Sequence, residues 1–244
     1  MKKIAFTLAE TLITLGVIGI VAAITIPMMI TTYQKNATAL AVKKAYTELN
    51  QVLKMATADY GEPSGWQYYG ADELQPWVET YIAPYLSGAQ YKSCKSNEKC
   101  FGLKLPFPLH FPKPGSVNTM VGQYVVAKIG TPVAYGFFRY PAPYDKVTRI
   151  KAYIHNPHKK YAMLGRDVFT FILTTADENP TFKPYGYGTL GSYGISTKDR
   201  QTLLGTGWGG CNPKASGSGY WGPGDACAAV IMLDGWKISR DYPW

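Results

Sequence analysis

The strongest constraint on this chain is its opening stretch, MKKIAFTLAETLITLGVIGIVAAITIPMMI, because an apolar run of this length has no stable place in water. Between residues 6 and 30 the only ionisable side chain is Glu10. At about 1.5 Å per helical residue the run exceeds a hydrocarbon layer of roughly 30 Å. It is therefore predicted to be a membrane-spanning helix. A carboxylate inside such a segment costs on the order of 3 kcal/mol on insertion scales and by default marks a function. Glu10 accordingly calls for a cationic partner.

The flanks indicate where that partner comes from. Met1, Lys2, Lys3, Ile4 and Ala5 form a short basic leader, Phe6-Thr7-Leu8-Ala9-Glu10 follows at once, and Pro27 lies near the far end of the run. In these features residues 1–30 resemble the type IV pilin and type II secretion pseudopilin superfamily. The resemblance implies a prepilin peptidase that cuts between Ala5 and Phe6, a methyltransferase that N-methylates Phe6, and an inner-membrane assembly platform that stacks subunits into a filament. It also implies that the new amine of one subunit meets Glu10 of its neighbour. The family usually has Gly before the cut, where this chain has Ala5. Opposite charges about 4 Å apart gain roughly 4 kcal/mol at an effective dielectric of 20, comparable with the cost of burying the acid. Two other readings stay open. One is an ordinary signal anchor with an incidental Glu10; the other is a cleaved secretory signal ending near Ala22-Ala23, although its apolar region should be about 7–15 residues.

Beyond the anchor, 244 residues with 46% apolar content suffice for one globular domain. The formal charge of +9 would fall to +7 without Lys2 and Lys3, and no dense Lys/Arg run exists, so a generally basic face is expected rather than a dedicated polyanion site. Lysines on both sides of the span (Lys2, Lys3; Lys35, Lys43, Lys44) leave its orientation undecided. The cysteines orient it instead. Cys94, Cys100, Cys211 and Cys227 all follow the anchor, spaced C-x5-C and C-x15-C, as two local disulfides outside the cytoplasm would be. The 94–100 and 211–227 pairing is preferred among three connectivities; a four-thiolate zinc site is the rival, without its usual short spacing.

The rest reads as α+β: a long N-terminal membrane-spanning and amphipathic helix packed on an antiparallel β-sheet head. The predicted organisation is a leader (1–5), a spanning or filament-core helix (6–30), its amphipathic continuation (31–61) and an extracytoplasmic head (62–244). Tyr33, Ala37, Leu40, Ala41, Ala45, Leu49, Val52, Leu53, Ala56 and Tyr60 supply the continuation's apolar stripe, which should stop near Gly61 and Pro63. A second helix is capped by Asp72, with Pro76 in its first turn and Leu74, Trp77, Val78, Tyr81, Ile82 and Tyr85 on one face. Strands are predicted over 123–129, 132–140, 148–154 and 167–173. Residues 181–224, with 12 of the 25 glycines, read as a long loop tied by Cys211 and Cys227, whose Tyr and Trp side chains either fold onto the sheet or stack on sugars or neighbouring subunits. Residues 228–233, the turn Asp234-Gly235 and residues 236–238 read as a closing hairpin or bent strand.

Chemistry has little support. Only three histidines occur (His110, His155, His158), with no nucleophile elbow, zinc-protease motif, phosphate loop or dinucleotide fingerprint. Asp177 and Glu178 are sequence neighbours and would point to opposite faces of a strand, which is wrong for paired catalytic carboxylates. No cofactor is expected; some pseudopilins bind calcium in a C-terminal loop, and Asp225 and Asp234 are the acids available here. The resulting expectation is a filament subunit, not an enzyme, held in the inner (cytoplasmic) membrane with its amino terminus cytoplasmic and later part of a cell-surface or periplasmic filament. Its partners would be homologous pilin subunits, the processing enzyme, the assembly platform and membrane lipid. The competing class is a monomeric anchored module that binds glycan or DNA.

Overall fold

The computed structural model describes residues 7–67, 74–86, 91–95, 109–110, 117–118, 124–128, 133–139, 147–154, 163–174, 180–188, 197–216 and 222–244. The predicted processing residues Ala5 and Phe6, Cys100, the cap Asp72, the acids Asp177 and Glu178, and His155 and His158 lie outside them.

Helix α1 (Leu8–Tyr60) runs through Pro27, which removes one N–H from the helical ladder. It stops where predicted: Gly61 takes φ +76°, a left-handed conformation open to glycine, and its N–H bonds Thr57 O at 2.9 Å. The chain divides into two compact units, residues 1–37 and 38–244. In the first, α1 carries an apolar surface with every Leu, Ile, Val and Met from Leu8 to Ile30 more than half exposed. In the second, α1 buries Thr38, Ala39, Val42, Ala45, Leu49, Val52, Leu53 and Ala56, spaced three and four apart as one helix face requires. Leu40, assigned to that stripe from sequence, is 68% exposed. It sits two residues from both Thr38 and Val42, about 200° around the helix from each. Tyr33 and Tyr60 are exposed as well.

The head is organised on a six-stranded antiparallel sheet ordered β1-β4-β5-β6-β7-β8, with β1 Tyr91–Lys95, β4 Tyr124–Lys128, β5 Ala134–Arg139, β6 Val147–Tyr153, β7 Val168–Thr174 and β8 Phe182–Pro184. A separate two-stranded ladder pairs β2 (Leu109–His110) with β3 (Val117–Asn118). The four strands predicted from β-branched and aromatic clustering are β4 to β7; β8 lies inside the stretch read as loop.

Register explains why β5, β6 and β7 are buried at every position. One face carries the rows Tyr135-Ala152-Phe169, Phe137-Ile150-Phe171-Pro184 and Arg139-Thr148-Leu173-Phe182. Helix α1 packs here: the Tyr135 hydroxyl donates to Glu48 at 2.5 Å, Tyr46 lies 6.4 Å from Phe171, and Asn50 makes two backbone hydrogen bonds to Phe182. Helix α2 (Leu74–Tyr81) joins the same layer, with the Arg139 guanidinium 4.7 Å over the Trp77 ring. The opposite face carries Phe138-Arg149-Ile172 and Gly136-Lys151-Thr170, met by Asp225 from the C-terminal segment. A sheet covered on both faces reads as continuous apolar runs rather than strict alternation.

Two sequence expectations are corrected in the C-terminal segment. The stretch 181–224 holds β8 and a short helix, α3 (Arg200–Leu204), capped by Asp199, whose carboxylate accepts the Thr202 N–H at 2.8 Å. The supposed closing strand is a helix, α4 (Cys227–Leu233), with Cys227 through Ile231 buried. A short apolar run does not distinguish buried strand from buried helix by periodicity. Asp234-Gly235 is not a hairpin turn but the helix stop: Trp236 N–H bonds Ile231 O and Gly235 N–H bonds Met232 O, with Gly235 at φ +68°. These two bonds make the Schellman arrangement.

Candidate functional site

The first candidate is the start of α1. Thr7 precedes the helix and Glu10 is its third residue. The Thr7 N–H and hydroxyl each donate to Glu10 Oε2 at 2.9 Å, and the Glu10 N–H donates to Thr7 Oγ1 at 3.3 Å. This is a reciprocal capping box, in which side chains satisfy amide groups that a helix start otherwise leaves open. Its signature, Thr7-x-x-Glu10, stands in the sequence, beneath the more conspicuous charge of Glu10 in an apolar run. In an apolar medium the arrangement matters, since Glu10 already accepts two hydrogen bonds from its own chain before any partner arrives. Thr11, Thr14, Thr25, Thr31 and Thr32 likewise return their hydroxyls to carbonyls of the preceding turn. The stretch from Leu8 to Ile30 thus presents an apolar surface whose threonine hydroxyls are satisfied within the helix. By length and composition α1 is long and apolar enough to cross a membrane.

The second candidate is the C-terminal layer of the head. Cys211 and Cys227 are disulfide-bonded, as expected from their spacing; Cys100, the expected partner of Cys94 on β1, lies outside the described residues. The turn at Gly165 lies against this bond. Gly165 takes φ +81°, and a Cβ there would lie 2.6 Å from Cys227 Sγ. The buried Tyr242 hydroxyl donates to Gly165 O at 2.5 Å. Arg166 stacks 5.2 Å over Trp244, in an open cleft lined also by the buried Leu164 and the half-buried Pro213 and Pro223.

Two ion-pair systems pin the layer. Asp225, fully buried, accepts Lys151 Nζ at 2.9 Å, the Thr170 hydroxyl at 2.5 Å and the Gly222 N–H at 2.8 Å. Burial alone would raise its carboxyl; Lys151, Arg149, the Thr170 hydroxyl and the Gly222 N–H outweigh that and hold it below the usual range. Burial drives the Lys151 ammonium down to about 8 against the pull of Asp225. Nearer the surface, the Arg200 fork grips both oxygens of Asp234 (2.5 and 3.0 Å) and both of Asp241 (2.8 and 2.7 Å), while Ser239 bridges Arg200 and Asp234. Such bidentate pairs fix geometry as well as charge. Asp225 and Asp234, the two acids considered for calcium, are therefore not brought together: one is paired with Lys151, the other with Arg200. Among the described residues no three His, Cys, Asp or Glu side chains cluster. Lys151 and Arg200 escaped the sequence reading because nothing local links them to acids 74 and 34 residues away.

Of the aromatics in the glycine-rich stretch, Tyr185 is buried and Tyr187 half-buried, so these do fold onto the head, whereas Trp208 remains 41% exposed. Tyr193, Tyr220 and Trp221 lie outside the described residues. No curated protein and no solved structure matches the chain. Residues 28–244 match a family of unknown function (DUF6613), and the chain belongs to that family.

Proposed function

We propose that this protein is a structural subunit of an extracytoplasmic helical filament of the type IV pilus or type II secretion pseudopilus kind. It would be made as a single-pass inner-membrane precursor, cut between Ala5 and Phe6, N-methylated at Phe6, and drawn by an assembly platform into a filament with its homologues. One observation carries the reading: a helix whose first half is an exposed apolar surface broken by a single acid becomes, without interruption, the packed spine of an α+β head. An anchor alone needs neither the acid nor the continuous helix. A filament subunit uses both, the apolar half first in lipid and then against neighbouring copies, and Glu10 as the partner for the amine of an adjacent Phe6.

The capping box sharpens how Glu10 is used. Its carboxylate is held at the helix start by Thr7, so charge and position are already fixed when a neighbour's amine approaches. Intact-mass and amino-terminal sequencing of the protein recovered from its native membranes tests the processing step. The expected species begins at an N-methylated Phe6. A chain beginning at Met1, or beyond Ala23, contradicts the proposal.

A further inference from the structure

We propose that residues 240–244 form a strap that controls access to the Cys211–Cys227 disulfide, so that a thiol reaches the bond only when the strap lifts locally from a head that is otherwise folded. This goes beyond the filament reading and does not rest on it.

The strap has one buried anchor. Arg240, Asp241 and Pro243 are exposed and Trp244 is half-buried, whereas Tyr242 is only 3% exposed. The segment forms neither helix nor strand, and among the described residues its backbone hydrogen bonds are local, from Tyr242 N–H to Ser239 O at 3.3 Å and from Trp244 N–H to Tyr242 O at 2.8 Å. Side chains hold it down instead. Arg200, at the start of α3, donates to both oxygens of Asp241 at 2.8 and 2.7 Å. The Tyr242 hydroxyl donates to Gly165 O at 2.5 Å, and the Arg166 guanidinium lies 5.2 Å over the Trp244 ring. The strap is thus closed by an ion pair, a hydrogen bond and a cation–π contact. With Asp241 54% exposed, the ion pair adds only modestly to closure. A segment held by so few contacts opens at a lower free energy than the sheet and α4, which are buried almost throughout.

The disulfide lies against this strap. Cys211 and Cys227 are 1% and 2% exposed. The Cys227 sulfur and the Tyr242 hydroxyl crowd the same point at Gly165: a Cβ there would lie 2.6 Å from Sγ and 3.3 Å from the hydroxyl oxygen. The open cleft already described is lined by Cys227 together with Pro243 and Trp244 of the strap. Solvent therefore comes close to Cys227 while the closed strap keeps the sulfur covered. Exchange requires a thiolate to reach a disulfide sulfur. Once the strap lifts, one thiolate of a dithiol attacks Cys227 Sγ and Cys211 leaves as a thiolate that takes up a proton. The second thiol of the reagent then closes its own disulfide and releases Cys227, so two electrons pass from the dithiol to the protein.

The test is the rate at which dithiothreitol reduces the full chain in detergent, with alkylation and peptide mapping to assign the released thiols to Cys211 and Cys227. Tyr242→Ala should speed this reduction at least tenfold and Asp241→Ala severalfold, the second at an exposed position where circular dichroism should show an intact fold. Leu49→Ala, on the packed face of α1, lowers global stability without touching the strap and should leave the rate in the absence of urea unchanged. Reduction of wild type should also depend on urea far less steeply than unfolding does, because a local opening exposes little surface. Wild-type rates in both strap variants, an equal acceleration in Leu49→Ala, or a urea dependence as steep as that of unfolding each overturns the proposal. None of these results bears on whether the chain is cut before Phe6.

Discussion

Replacing Asp225 by Ala should be among the most damaging single changes in the head. The carboxylate accepts three hydrogen bonds, at 2.9, 2.5 and 2.8 Å, and both it and Lys151 are withdrawn from water, with side-chain exposures of 0% and 2%. Truncation leaves the Lys151 ammonium, the Thr170 hydroxyl and the Gly222 N–H buried without that acceptor. Breaking a buried pair on one side costs about 3–5 kcal/mol, whereas replacing both partners by apolar groups of similar volume is close to neutral. A partial escape exists, since burial already lowers Lys151 to about 8 and the orphaned amine sheds its proton near neutrality, which places the loss toward the lower end of that range. The Lys151→Met/Asp225→Leu double variant should recover most of the stability. Denaturant unfolding of the full chain in detergent, followed by near-ultraviolet circular dichroism, measures all three. A cost under about 1 kcal/mol for Asp225→Ala, or a double variant as unstable as the sum of its singles, would refute a desolvated pair pinning the C-terminal layer to the sheet.

The same pair predicts a pH dependence. Lys151 binds its proton more weakly in the fold, at about 8, than in the unfolded chain, at 10.5, so wild type should gain stability relative to Lys151→Met as pH rises through that window; a relative loss contradicts the assignment. Asp225, held low, supplies stability above the unfolded carboxylate's value of 3.8 that is lost as pH falls below it, and Asp225→Asn should flatten that acid limb. Cys211→Ser/Cys227→Ser opens a loop closed at a separation of 16 residues and should cost about 3 kcal/mol by loop entropy, matched by reduced wild type. Gly165→Ala forces a Cβ to 2.6 Å from Cys227 Sγ at φ +81°, and overpacking together with left-handed strain should cost more than about 2 kcal/mol, read as a lowered melting temperature.

What the sequence revealed followed from periodicity and punctuation. The 3.6-residue spacing of Ala45, Leu49, Val52, Leu53 and Ala56 gave the packed half of α1, Gly61 gave its end, and β-branched and aromatic clusters gave β4 to β7. The errors arose where one signal serves two structures. Residues 228–233 lack any period, and Asp234-Gly235 ends a helix as readily as it turns a hairpin. The strand β8 is three residues long and contains Pro184, too short to show alternation. At the candidate assembly site Glu10 carries two signals at once, a charge in an apolar run and the last position of a Thr7-x-x-Glu10 capping box, and the first masks the second. Lys151, Thr170 and Asp225 meet only through the sheet register and the fold of the C-terminal segment, information no local pattern carries.

The central claim is that Glu10 promotes assembly through its charge and not merely through capping α1. Glu10→Gln is the decisive variant, because Gln preserves the capping box and removes the charge. Cross-linking of native membranes and sheared surface filaments should show wild-type chains in high-order ladders, and Glu10→Gln chains correctly inserted and processed but monomeric. Ladders of wild-type extent from the Glu10→Gln protein would contradict the account and leave Glu10 as a helix cap alone.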